Sequence, residues 1–241
     1  MSQYRHESEA GTVIEPHRHD GDHQLLYVSS GIYATKTEHG TWVASAQRAI
    51  WTPAETWHEH RVYGRTLVHL LRFPAHEVLF PGSRPTVIAV SPLLRELLMA
   101  CTEPGLPEDE AQRLRAVIRD RVRHADLAPL ALPAATEPRL ADACRLVTDD
   151  LSVPRTITWL AARTGTSDRH LARLFRAEFG TTYPQWRTNV RVFQAMIELS
   201  DGATVTETAH RCGWATTSAF VDTFARTMGQ TPGAYRAAAM P

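Results

Sequence analysis

The chain has 241 residues, 43% of them hydrophobic and 22% charged, the proportions of a soluble globular protein with room for one large domain or two ordinary ones. No run of about 18 apolar residues occurs, which argues against a membrane span, and the opening Met1-Ser2-Gln3-Tyr4-Arg5-His6-Glu7 lacks the apolar core of a signal peptide. Formal charge is zero, so bulk charge alone does not mark a nucleic-acid binder; Cys101, Cys144 and Cys212 are too widely spaced for a disulfide framework or a CxxC metal site and point to a reducing cytoplasm.

From Val13 to about Leu71 the pattern is of short strands. Leu25–Val28, Ile32–Thr35, Thr41–Val43 and Leu67–Leu70 are β-rich runs broken by Gly31, Gly40, Pro53 and Gly64. Such spacing predicts an all-β barrel or sandwich. Inside it stand Pro16-His17-Arg18-His19, then Gln24, then Pro53-Ala54-Glu55-Thr56-Trp57-His58. On a strand, residues i and i+2 share a face, so His17 and His19 converge on the interior. With His58 from a returning strand they can make a facial triad for a divalent transition metal, with Gln24 as a weak fourth group. A metal-free polar pocket for a small organic effector uses the same residues, and so does a set of ordinary polar strand histidines. Tyr27, Trp51 and Trp57 are candidate pocket walls or core aromatics. His23, His39, His60 and His69 lack the spacing and are expected at the surface or in packing.

This constellation resembles the cupin family, whose first motif runs His-x-His, an acidic residue and Gly, and whose second is Pro-x-Gly-x-x-His. Two positions depart from it. Gln24 stands where cupins carry Glu, removing a charged ligand, and Glu55 stands where the second motif has Gly, at a tight turn.

From Ser91 the pattern becomes helical. Pro92 opens a segment with Leu93, Leu94, Leu97 and Leu98 on one stripe. Glu108 to Ala125 places Leu114, Val117, Ile118 and Val122 on one face, with Arg113, Arg115, Arg119, Arg121 and Arg123 elsewhere. These helices are expected to cover the barrel or to pair with a second copy. Residues 127–138 contain Pro129, Pro133 and Pro138 and no helical period, as a semi-rigid linker does.

The C-terminal half writes one pattern twice. Ile157-Thr158-Trp159-Leu160-Ala161 aligns with Val205-Thr206-Glu207-Thr208-Ala209, and Gly165 with Gly213; one residue later in register, Leu171, Phe175 and Gly180 align with Phe220, Phe224 and Gly229. Each copy reads as a short helix, a turn and a second helix, the layout of a helix-turn-helix whose second helix enters the major groove. In the first copy Leu171, Leu174, Phe175 and Phe179 face inward, leaving Arg169, His170, Arg173 and Arg176 outside, behind a cap at Ser167 or Asp168. Arginines on successive turns suit bidentate contacts to guanine or phosphate. Lys36 is the only lysine of the chain, a bias that GC-rich coding DNA would also produce. The second copy presents Thr216, Thr217, Ser218, Asp222, Thr223 and Arg226, a face short of positive charge that is expected to add less affinity. A helix from about Tyr183 to Ser200 joins the copies.

Residues 138–236 resemble the AraC family of transcription regulators, through Leu160-Ala161, Gly165, Ser167, Leu171, Phe175, Gly180, Arg191, Ala195, Leu199, Val205, Ala209, Gly213-Trp214, Ser218, Phe220, Phe224 and the closing Gly229-Gln230-Thr231-Pro232-Gly233-Ala234-Tyr235-Arg236. The resemblance implies an α+β multidomain chain: a cupin-like effector-sensing β-barrel at 1–85, a helical cover or dimerisation segment at 86–126, a linker at 127–138 and a tandem helix-turn-helix DNA-binding domain at 139–241. It also implies double-stranded promoter DNA and a small-molecule effector as partners, RNA polymerase if the protein activates, and a homodimer as an option. The rival expectation is a metal-dependent cupin oxygenase with a DNA-binding appendage, disfavoured by Gln24 and by the tandem repeat.

Overall fold

The computed structural model describes residues 3–80, 82, 84–127 and 131–239. They divide into two compact units, the first within residues 1–131 and the second within 132–237. No helix among the described residues is long and apolar enough to cross a membrane.

The first unit is an antiparallel sheet built on two long strands, β3 (Asp22–Thr37) and β6 (His58–Pro74), which pair from Asp22↔Pro74 to Lys36↔Glu59. Around them lie β1 (Gln3–Ser8) and β2 (Val13–His17), both paired to β6, with β4 (Gly40–Ala44) and β5 (Arg48–Thr52) paired to β3. β7 (Thr86–Ala89) pairs with β5 and so continues the sheet into the 86–126 stretch expected to be helical.

The runs around Gly31 and Gly64 that the sequence separates into short strands are continuous here. Gly31 bends β3 rather than ending it: the register slips between Val28 and Ile32, and a Cβ at φ +72° would lie 2.1 Å from Thr66 Oγ1 and 2.8 Å from Arg65 O. Only glycine fits such a bulge.

Strand parity sorts the side chains into two cores. Leu26, Val28, Tyr33, Val62 and Leu70 fill the inside of the sheet. Leu25, Tyr27, Trp51, Leu71 and Phe73 face the other way, against α1 (Pro92–Cys101) and α2 (Glu108–Arg123). Ser91 caps α1 by accepting the Leu94 N–H. The buried stripe of α2 is Ala111, Arg115, Ile118 and Val122, turned from the expected one. Val117 is exposed, and Arg115, expected outside, is buried with Glu108 3.7 Å away. An arginine reads as an outward position in a pattern search, yet its long apolar stem buries readily.

The stretch expected as linker carries regular structure in its described residues. Leu127 bridges Ile88, β8 (Ala131–Pro133) is a short strand, and Leu132 and Ala135 pack on the helical core; Ala128, Pro129 and Leu130 lie outside the described residues.

The second unit is helical: α3 (Pro138–Thr148), α4 (Ile157–Arg163), α5 (Asp168–Phe179), α6 (Tyr183–Ser200), α7 (Val205–Arg211), α8 (Thr217–Met228) and α9 (Pro232–Ala239). Leu140, Ala143, Val147, Leu160, Leu171, Phe175, Tyr183 and Trp186 form one core, binding α3, α4, α5 and the start of α6. The later part of α6 buries Val192, Ala195, Met196 and Leu199, while Phe193 and Ile197 are half-buried. Capping boxes at Thr182/Gln185 and Thr204/Glu207 fix where α6 and α7 begin, each satisfying orphan N–H groups of the first turn.

Candidate functional site

In the first unit, β2 and β6 pair with His17 opposite His58, and period-2 geometry carries His60 onto the same inward face of β6 as His58. The ring centroids lie 4.4 Å apart for His17 and His58, 4.8 Å for His58 and His60, and 5.4 Å for His17 and His60. His19 sits 4.9 Å from His17 and 5.3 Å from His58. A cavity of about 280 Å³ is lined by Tyr4, His6, Ile14, His17, His19, Gln24, Tyr33, His60 and Leu70.

Two backbone carbonyls orient this cluster. His17 Nδ1 lies 2.8 Å from Glu15 O, and His58 Nδ1 lies 2.7 Å from Thr56 O. A carbonyl only accepts, so both rings carry their proton on Nδ1, and in the neutral form the Nε2 lone pair is free. His60 Nδ1 meets the buried Thr35 hydroxyl at 3.1 Å. Burial drives His19, His58 and His60 toward neutrality. His60 is pushed far below the ordinary histidine range by desolvation and then by its histidine neighbours. His19 is lowered to about 4, first by desolvation, then by Arg72, His17 and His58. His58 is lowered chiefly by desolvation. Neutral imidazoles are the state that ligates metals or accepts hydrogen bonds.

Four polar atoms here are buried with no hydrogen-bond partner: His6 Nδ1, His19 Nε2, Gln24 Oε1 and His58 Nε2. Native proteins rarely leave such atoms unmatched, so their grouping around one cavity marks a place for a bound group or water.

The turn before His58 keeps the shape of the cupin motif without its glycine. Glu55 takes φ 62°, the left-handed backbone that glycine ordinarily supplies. Its carboxylate accepts the Gly21 N–H at 3.3 Å and lies 3.7 Å from Arg18, tying the turn to the loop that carries His19.

The structure brings His17, His19, Gln24 and His58 together. It does not bring Tyr27 or Trp51 to them. Gln24 and Tyr27 are an odd number of residues apart on one strand and so point to opposite faces; Trp51 pairs with Leu25 in register and shares that far face. Tyr27 donates its hydroxyl to Ala46 O, and Trp51 packs on Phe73 and His23. Trp57 is exposed, under the Arg18 guanidinium, and meets His58 in a second, surface cavity that Pro16, Lys36, Thr37 and Glu59 also line. His60 and His6 are the residues the sequence reading missed. His58-x-His60 repeats the His-x-His spacing of His17-x-His19, and that signal was available. His6 lies on a strand whose existence the reading did not anticipate.

In the second unit, α5 and α8 are the second helices of the two helix-turn-helix copies. Ser167 caps α5 by accepting the His170 N–H, and Thr216 caps α8 by accepting the Ala219 N–H. Asp168 accepts the Thr158 hydroxyl, which ties α5 to α4. Those side chains hold the helices in place. Arg169, Arg173 and Arg176 are exposed along α5, with Arg173 donating to His170 Nδ1 at 3.0 Å. On α8, Ser218, Asp222 and Arg226 are exposed, while Thr217 and Thr223 are half-buried.

Other arginines serve the frame. Arg191 donates to Cys212 O at 2.6 Å and lies 3.8 Å from the Trp214 ring centroid, and desolvation lowers it only to about 10, so it stays charged at neutral pH. Arg155 and Arg163 flank the Trp159 ring at 4.2 and 4.9 Å, a stack whose i, i+4, i+8 spacing the sequence displays.

Residues 160–238 match the model of a helix-turn-helix domain, and residues 4–73 match that of a cupin domain. The chain is 29% identical over 215 residues to the HTH-type transcriptional regulator NimR of Escherichia coli K12, a match covering 88% of this chain and 78% of that protein. It is 33% identical over 91 residues to the uncharacterized HTH-type transcriptional regulator YfiF of Bacillus subtilis, covering 37% of this chain and 29% of that one. Among solved structures, a transcriptional regulator of Chromobacterium violaceum with an AraC-type DNA-binding domain is 25% identical, with a TM-score of 0.41, covering 43% of this chain and 93% of that one.

Proposed function

We propose that this chain is a DNA-binding transcription regulator of the AraC type with an N-terminal cupin domain, and that its histidine-lined cavity is the sensory site for a small effector. The observation that carries the sensory reading is the set of unpartnered buried atoms, His6 Nδ1, His19 Nε2, Gln24 Oε1 and His58 Nε2, in or beside one cavity. A ligand that satisfies them better in one arrangement of the chain than in another shifts the balance of arrangements, which is what coupling to DNA binding requires.

For DNA we assign α5 as the principal reading helix, through Arg169, Arg173 and Arg176, with α8 contributing Ser218 and Arg226. Two such helices fit successive major grooves, whose centres lie about 34 Å apart. Selection from a random duplex pool should therefore enrich two sequence blocks about one helical turn apart. A single enriched block, or none, contradicts the assignment. RNA polymerase is the expected partner if the protein activates, a second copy through the α1–α2 face is an option, and the cytoplasm is the compartment that promoter binding and three free cysteines suit. We assign no enzymatic role: the metal-loaded protein should consume no oxygen, and sustained uptake that His17→Ala abolishes would revive the oxygenase reading.

A further inference from the structure

We propose that the metal centre of this chain is His17, His58 and His60, a set of three imidazoles for a late first-row divalent ion, with His19 and Gln24 on the adjoining cavity wall rather than on the metal. The proposal rests on reading this cavity as the sensory site.

One ring nitrogen from each of the three lies within 4.8 Å of the others, and among the described residues this is the group of histidine, cysteine and carboxylate side chains close enough to hold an ion. An ion held by all three nitrogens at about 2.0–2.1 Å needs them roughly 3–3.4 Å from one another, so the rings must turn inward to close on it. Strand geometry explains the membership. His17 faces His58 across the β2–β6 pair, and His60 follows two residues along the same strand. His19 lies past the end of β2, in the loop that Glu55 ties down, so its position does not depend on strand register.

The outer partners are those a ligating histidine requires. His17 and His58 each donate Nδ1–H to a backbone carbonyl, at 2.8 and 2.7 Å, which fixes the tautomer and aims the Nε2 lone pair; Thr35 holds His60 at 3.1 Å. His58 Nε2 is buried and has no partner.

The donor set also names the class of ion. It offers no carboxylate or carbonyl oxygen, so Mg²⁺ and Ca²⁺ are poorly served; imidazole suits Zn²⁺, Ni²⁺, Cu²⁺ and Co²⁺. Neutral ligands leave the dipositive charge uncompensated, which favours an anion or hydroxide in the remaining coordination position. His17 and His60 share the cavity with His19 and Gln24, whose Nε2 and Oε1 lack partners and can hydrogen-bond such a ligand.

The test is Co²⁺ titration of the tag-free, chelator-stripped full chain, followed by its visible d–d absorption and by Zn²⁺ competition. Wild type should bind about one Co²⁺ per chain. His17→Ala, His58→Ala and His60→Asn should each weaken binding by about 100-fold or more, beyond the 10–100-fold that loss of an orienting partner produces. His19→Ala and Gln24→Ala should stay within about threefold of wild type, below that range. Because His60 is buried, Thr35→Val serves as a second variant that keeps the ring and its packing. About tenfold weaker binding supports the proposal, and unchanged binding overturns His60 as a ligand. The proposal is also overturned if wild type takes up no stoichiometric Co²⁺, or if His19→Ala matches His17→Ala while His60→Asn binds normally. Duplex selection on the same preparation separates the two readings: lost metal binding with intact DNA selection sinks the metal centre alone.

Discussion

The two helix-turn-helix copies share one set of local devices. Each second helix begins at a hydroxyl cap, Ser167 or Thr216, and ends at a left-handed glycine, Gly180 or Gly229; each buries a phenylalanine one turn past its first core residue. They diverge in what surrounds those devices. Phe175 lies 5.4 to 5.7 Å from three aromatic rings, Phe179, Tyr183 and Trp186, whereas Phe224 has Phe220 and Tyr235 at 5.6 and 5.4 Å. Outward, α5 shows three exposed arginines where α8 shows Ser218, Asp222 and Arg226. The two copies share a scaffold and differ on the solvent face, because caps and core positions are fixed by backbone geometry and surface positions are not.

The largest effects should come from the shared core. Phe175→Ala and Phe224→Ala each leave a cavity and should cost about 3–5 kcal/mol. Phe175 should be the costlier, since each aromatic pair adds about 0.5–1.5 kcal/mol beyond burial. Urea denaturation of both variants checks this. Equal losses would mean that the aromatic surroundings do not distinguish the copies, and a midpoint near wild type for either would show that copy is not packed as described.

A smaller and sharper contrast lies in the turns. Gly165 and Gly213 occupy the same place in the repeat, at φ 64° and 75°. Nothing lies within 4 Å of a Cβ built on Gly165, whereas one on Gly213 would sit 2.2 Å from Leu151 O. Gly165→Ala should therefore cost about 1–2 kcal/mol, the left-handed penalty alone. Gly213→Ala should cost about 1–3 kcal/mol more, because backbone must move. Thermal melts showing equal losses would remove the proposed crowding of the second turn against Leu151.

That pair also shows how much the sequence could reveal. The repeat marks both glycines, and the helices α4 to α8 follow from caps and apolar spacing, because each signal acts within a few residues. Which glycine is crowded depends on Leu151, more than 60 residues away from Gly213 in the chain. The same limit divides the barrel. His17, His19, Gln24 and His58 were legible from spacing and the cupin resemblance. Tyr27 and Trp51 were misplaced because their face depends on strand parity and register, although counting from Gln24 to Tyr27 already put them on opposite sides. His60 was passed over despite its own i+2 spacing, since the motif ends at His58. The continuity of β3 through Gly31 was hidden because a bulge and a turn look alike until the partner strand, here at Thr66, is known.

The role proposed for α5 as the principal reading helix is tested most directly by DNA affinity. The measurement is a fluorescence-anisotropy titration, at one fixed salt concentration, of a duplex carrying the selected site. Wild type would be compared with Arg169→Ala, Arg173→Ala and Arg226→Ala, each confirmed as folded. Arg169→Ala and Arg173→Ala should each weaken binding by about 1–3 kcal/mol, and Arg226→Ala by less. Unchanged affinity for both α5 variants, or a larger loss at Arg226, would contradict it.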